Sequence, residues 1–253
     1  MRVGRRIVLA VLATTVVWLS GCGSSEPPQP PAPSLGQTLH VALPPSVTAA
    51  RLRDSSGRAI TLRSLRGKVV VLSDLLTLCQ ETCPLDTANI VAAARRAEAA
   101  GLNDHVVFLS VTVDPQRDTP QRLRAYRALF RPVPPDWLTL TGTPATLRAF
   151  WKRLGVFVRR EPDKAPLPQD WLTGQPLHYD VTHSDAVLFM DQQGSERFVL
   201  LGTPHVAAGA PVPPVLKQFL SEQGRHNLIQ PRTDAWTLPQ ELSVISWLVG
   251  RTI

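Results

Sequence analysis

The chain has 253 residues, 43% of them hydrophobic, 19% charged and 24 of them proline, with a formal net charge of +7. That is enough for one sizeable domain with extensions. The basic excess is scattered, with no aromatic-interleaved basic stripe, which argues against a nucleic-acid-binding surface.

The N-terminus reads as an export signal. Arg2, Arg5 and Arg6 precede an apolar run over 7–19, too short for a confident spanning helix. The run ends in Leu19-Ser20-Gly21-Cys22, which resembles the bacterial lipobox and makes Cys22 the expected lipidation site. An uncleaved anchor is the alternative. Without residues 1–21, which hold three arginines and no acid, the charge falls from +7 to +4. Residues 22–37 follow as a lipidated cysteine and a Pro-rich tether, which cannot build a core and would hold a domain away from a membrane.

The folded domain is expected over 38–224. Residues 50–65 read as a β-hairpin turning at Asp54-Ser55-Ser56-Gly57. The β-branched run at 68–73 predicts a strand buried on both faces. A helix over 87–100, stopped by Gly101, and a buried strand over 105–113 come next. Thr119 and Pro120 begin a second helix, to about 130, as cap and first residue. A strand at 137–140, a helix over 144–154 and a strand at 156–158 precede a proline-rich loop over 161–175. Strands at 186–191 and 196–201 flank a turn, and 213–222 predicts the last core helix. The tail, 225–253, contains a short amphipathic helix over 239–249, which either packs on the domain or contacts a membrane or partner. Alternating β and α segments imply an α/β sheet with helices on both faces, compatible with a thioredoxin-like fold carrying an N-terminal β-hairpin.

With Cys22 assigned to lipid, Cys79 and Cys83 remain, spaced C-x-x-x-C where a buried strand turns into a helix. Pro84 suits the first helical position, so Cys83 lies at or beside the N-cap, where the helix dipole favours its thiolate. Four-residue spacing in a turn brings two sulfurs within reach of each other, as a disulfide, or of one soft ion such as Cu(I). Two thiolates leave a metal site incomplete. A third ligand should be an imidazole or a thioether, from the histidines at 40, 105, 178, 183, 205 and 226 or from Met1 and Met190; His183 lies just before a predicted buried strand.

Three separated stretches together resemble the Sco/SenC family of copper-handling proteins. They are Gly67-Lys68-Val69-Val70-Val71-Leu72 leading to Cys79-x-x-x-Cys83-Pro84; Ser110-Val111-Thr112-Val113-Asp114-Pro115-Gln116-Arg117-Asp118-Thr119-Pro120, similar to the family's S-V-D-P-x-R-D-T-P; and Thr182-His183-Ser184, at the place of its D-H-S. The resemblance covers about 38–222. It implies a thioredoxin-like fold and copper as the bound metal, as Cu(I) and in some states Cu(II), with Cys79, Cys83 and His183 as ligands. It also implies that Cys79 and Cys83 can pair as a disulfide. The implied place is the extracytoplasmic (periplasmic) face of a bacterial cell membrane, through the lipid anchor. The implied partner is the copper-accepting subunit of cytochrome c oxidase or another cuproprotein. A metallochaperone is favoured over an enzyme; the alternative is a thiol–disulfide oxidoreductase using the same pair. A peroxidase on this fold lacks a visible arginine and donor set for peroxide. The stretch over 114–119 is expected to shape its turn, with Asp114 on turn amides, Arg117 paired to Asp118 and Thr119 as cap. Gln80, Thr82 and Thr182 depart from the family's proline, aliphatic residue and aspartate at those places.

Overall fold

The β-branched run forms the central strand of an eight-stranded sheet in a computed structural model that describes residues 27–206 and 212–253. The elements are β1 (Gln37–Ala42), α1 (Pro45–Thr48), β2 (Leu52–Asp54), β3 (Ala59–Ile60), β4 (Val69–Leu75), α2 (Cys83–Ala99), β5 (Val106–Thr112), α3 (Pro120–Arg127), β6 (Trp137–Thr141), α4 (Pro144–Arg153) and β7 (Val158–Pro162). They continue with β8 (Tyr179–His183), β9 (Ala186–Met190), β10 (Ser195–Leu201), β11 (Pro204–His205), α5 (Pro214–Phe219), α6 (Glu222–Ile229), β12 (Trp236–Thr237) and α7 (Leu238–Val249). The sheet order is β1-β10-β9-β4-β5-β6-β2-β3. Strands β4, β5 and β6 run parallel, while β9 is antiparallel to β4 and β10 to β9. The order β5-β4-β9-β10, with α2 crossing between the parallel pair, is the thioredoxin-like arrangement, and the β2–β3 hairpin pairs onto β6.

Alternation along β4 divides the interior. Val69, Val71 and Leu75 face one apolar cluster with α2, α3 and α7; Val70, Leu72 and Leu76 face another with α4 and the hairpin. Both faces are dry, which explains the continuous apolar runs in β4 and β5. The predicted cap forms, Thr119 accepting from the Arg122 amide at 3.3 Å; Thr143 caps α4 in the same way, accepting from the Thr146 amide at 3.1 Å.

Several expectations shift. Helix α2 begins at Cys83, four residues before 87, because the Leu85 and Asp86 amides already bond the Thr82 carbonyl. The helix expected over 213–222 is two helices, broken where Leu220 turns extended and Ser221 caps α6. Strand β1 was not anticipated, since an exposed edge strand carries little apolar alternation. Strand β8 escaped for a similar reason, and it pairs only with β7. In α7, Val244 and Ile245 are fully buried against the cluster that contains α2 and β4. Among the described residues no helix is long and apolar enough to cross a membrane. Cys22 and the export signal lie outside the described residues.

Candidate metal centre

The cysteine loop joins the C-terminal end of β4 to α2. Leu76 and Leu78 anchor it in the interior, and the Cys79 amide bonds the Leu76 carbonyl at 3.1 Å. Cys83 opens α2 with Thr82 as N-cap residue. From the far side comes β8, whose last residue is His183. The sulfurs of Cys79 and Cys83 and a ring nitrogen of His183 all lie within 4.8 Å of one another, and Nε2 sits 3.4 Å from the Cys83 sulfur. The other five histidines, at 40, 105, 178, 205 and 226, are not part of this cluster.

His183 is held by its other nitrogen. Nδ1 is 2.8 Å from an Asp74 carboxylate oxygen and 3.0 Å from the Ser184 carbonyl, both acceptors. A proton on Nδ1 satisfies both and aims Nε2 at the sulfurs, the carboxylate–imidazole arrangement that orients ligating histidines. The second Asp74 oxygen accepts from the Ala186 amide at 2.9 Å, pinning β4 to β9. Burial disfavours a charged His183, but the Asp74 hydrogen bond, with Cys79 nearby, carries its pKa well above the usual 6.5.

The two thiols are unequal, and in the opposite sense to the expectation that Cys83 is the thiolate. The Cys79 pKa is drawn well below its usual value, first by a hydrogen bond from Cys83 and then, against burial, by His183 and the Glu81 amide. Its sulfur accepts from the Glu81 N–H at 3.5 Å and the Cys83 N–H at 3.4 Å. Burial, then the hydrogen bond and charge of Cys79, push the Cys83 thiol well up. The Cys83 N–H that opens α2 and the Glu81 N–H in the loop before it therefore serve the earlier cysteine, because a side chain at the first helical position cannot fold back onto its own N–H. Both cysteines are free thiols here.

Acidic groups crowd behind the pair. Burial first, then Asp74, raises Asp185 to about 6, and it accepts from the Thr82 hydroxyl at 2.9 Å. Burial first, then Asp185 and Asp74, lifts Asp86 well above the carboxylate range. Thr82 thus finds a partner that the aliphatic residue common in this place would lack. Asp74 and Asp185 were missed from the sequence; a lone acid inside the apolar run Val70-Val71-Leu72-Ser73-Asp74-Leu75 was the signal.

The turn over 114–119 acts on β8. Arg117 pairs with Asp114 and donates to the Tyr179 carbonyl at 2.6 Å. The Tyr179 ring has the Arg117 guanidinium 3.8 Å and the Arg160 guanidinium 3.9 Å from its centroid. The expected Arg117–Asp118 pair is absent. Asp118 is fully buried and accepts instead from the hydroxyls of Thr77 and Thr112, which join the cysteine loop to β5. A cleft of about 370 Å³ opens on the site, lined by Cys79, Thr82, Tyr179, His183, Asp185 and Ser221. Cys83 lies behind them.

Comparison with known proteins extends the picture. The family model SCO1/SenC matches residues 46–204. The SCO1 protein homolog of Bacillus subtilis (strain 168) is 28% identical over 107 residues, 42% of this chain and 54% of that protein. A Stutzerimonas stutzeri protein named "Putative copper-binding protein" is 25% identical over 152 residues, 60% of this chain and 67% of that one. The chain thus spans about half to two thirds of the length of these relatives. Among solved structures, a SCO1/SenC family lipoprotein from Bacillus anthracis str. Ames superposes with a TM-score of 0.50 at 25% identity, covering 67% of this chain and 91% of that one. The match runs through the cysteine loop, the turn over 114–119 and His183, the elements that build the centre, and on that ground the chain belongs to the SCO1/SenC family.

Proposed function

We propose that the protein is a membrane-anchored extracytoplasmic copper chaperone that holds one copper ion between Cys79, Cys83 and His183. The observation that carries this reading is the approach of two sulfurs and an Asp74-oriented imidazole to within 4.8 Å of one another. Two thiolates and an imidazole are a soft donor set suited to Cu(I), and to Cu(II) with added ligands. Binding replaces the protons on Cys83 and on Nε2, so uptake releases protons. Copper is cargo in this reading. Cys79 and His183 line the cleft and Cys83 does not. An incoming acceptor ligand displaces Cys79 or His183 first, while Cys83 keeps hold until the second exchange. No electron changes hands. The Stutzerimonas stutzeri relative named for copper binding supports the choice of metal. The acceptor proposed is the copper-receiving subunit of cytochrome c oxidase, with anchoring through a lipid on Cys22.

The test is titration of the reduced full-length chain with Cu(I) against a competing chelator. One tightly held ion is expected, weakened by each of Cys79→Ser, Cys83→Ser and His183→Ala. Unchanged affinity in any of the three would overturn the proposal. Fatty-acid labelling lost in Cys22→Ala tests the anchor.

A second reading has its own observation, the stabilised thiolate of Cys79. That sulfur can attack a partner's disulfide and form a mixed disulfide. Cys83 then displaces the partner, leaving a Cys79–Cys83 disulfide and a dithiol on the partner. Metal-free turnover on a disulfide substrate, lost in Cys79→Ser, would favour it.

A further inference from the structure

Helix α6 lies beyond residues 46–204, the part that matches the family, yet its N-terminus touches the cysteine loop. The Ser221 N–H donates to the Gln80 carbonyl at 2.9 Å. Gly224, on the first turn of α6, packs so closely that a Cβ there would stand 2.1 Å from the same oxygen and 3.1 Å from the Gln80 carbonyl carbon. Both atoms are backbone, so no side-chain movement relieves the clash. Ser221 also lines the cleft over the site.

The Gln80 carbonyl and the Glu81 N–H belong to one peptide unit, which is planar, with the two groups pointing in opposite directions. One end of that unit faces Ser221. The other donates to the Cys79 sulfur at 3.5 Å. Holding the carbonyl therefore fixes the direction of the N–H. We propose that α6, through Ser221 and Gly224, is a positioning element for Cys79, setting the tilt of the Gln80–Glu81 peptide and with it the hydrogen bond that the sulfur receives. The proposal rests on the reading of Cys79 and Cys83 as the working thiols, whichever exchange they perform. It also gives Gln80 its place: the backbone of this residue, more than its side chain, is what the neighbouring helix grips.

A hydrogen bond to sulfur favours the charged thiolate and the copper thiolate over the uncharged disulfide. Loosening the grip should weaken copper binding and shift the dithiol towards the disulfide when glutathione disulfide oxidises it, each turnover yielding two glutathione thiols. Two variants of the full-length chain test this. Gly224→Ala drives a methyl into the Gln80 carbonyl. Ser221→Pro deletes the N–H with little backbone strain, because Ser221 has φ −64° and Leu220 before it is extended at ψ 136°. Gln223→Ala, at an exposed position of α6, is the matched control.

Both variants are expected to bind Cu(I) about tenfold more weakly and to lie further towards the disulfide in a glutathione buffer, the size of effect that a charge-assisted hydrogen bond carries. A merely structural role would lower the melting temperature and leave both readouts unmoved below it. If the folded Ser221→Pro chain keeps the parent's Cu(I) affinity and disulfide equilibrium within about twofold, less than any such bond supplies, the proposal is overturned, whether or not Gly224→Ala folds. Should the parent bind no Cu(I), the copper reading fails, and the glutathione equilibrium still decides the role of α6.

Discussion

Burying a carboxylate in an apolar strand is costly unless its oxygens are paired. Asp74 meets that condition on both sides, with the Ala186 amide and His183. The imidazole depends on it in turn. Asp74→Asn is expected to lower copper affinity by about 10–100-fold, the usual range for losing an outer partner of a ligating histidine, as read by chelator competition. A contrast between two arginines tests the support behind β8. Arg117→Ala leaves the buried Asp114 carboxylate without its cation and with the Tyr179 hydroxyl as its remaining side-chain partner, and should lower stability by about 3 kcal/mol in denaturant unfolding. Arg159→Ala breaks an exposed pair with Glu161 and a contact on the exposed Phe157 ring, and should leave the unfolding midpoint nearly unmoved. His183 could be singled out in the sequence because three stretches together matched a family pattern; alone it was one histidine among six. The unequal thiols could not be read, because they depend on which sulfur the loop turns towards the amides. That direction is set by backbone torsions within 79–83 and by the neighbours that hold them.

At the scale of the element, α7 carries an anomaly. Glu241 is fully buried, and neither of its oxygens has a hydrogen-bond partner among the described residues. Burial alone pushes its pKa from 4.5 to about 8. An acid whose value is raised on folding keeps its proton longer in the folded chain, so stability falls as pH climbs from about 4.5 to about 8 and levels off above. The interval sets a ceiling of about 5 kcal/mol on the loss. Glu241→Gln cannot ionise, so its unfolding free energy should be flatter than the parent's between pH 5 and 8, with the largest gain near the upper end. Identical pH profiles for the two proteins would count against a buried, partnerless carboxylate. The elements that were legible are those with a strong local signal: the continuous apolar runs of β4 and β5, the cap and proline that open α3, and the segment from Pro144 to a glycine stop that forms α4. Strand β8 and the break between α5 and α6 arise from contacts with distant segments, which no local pattern announces.

For the molecule as a whole, the C-terminal segment is core. Trp236, Leu238, Val244 and Ile245 are buried in the cluster shared with β4 and α2. At about 1.5–3 kcal/mol per side chain, the four contribute about 6–12 kcal/mol, comparable with the whole net stability of an ordinary domain, about 5–15 kcal/mol. A chain stopped after residue 235 should therefore lose its cooperative thermal transition, followed by circular dichroism. The family resemblance ends before this segment, and an amphipathic helix near a terminus reads equally well as packed or peripheral until its burial is seen.

The donors of the centre come from places 100 residues apart. On a growing chain the thiols emerge first, and at about 5–20 residues per second the imidazole follows roughly 5–20 s later. Until then the protein offers a bare dithiol, open to oxidation and to any soft ion, with neither the third donor nor the helix that later grips Gln80. Competence to hold metal with all three donors is thus a late event in the life of each molecule, and it waits for folding through His183 and α6.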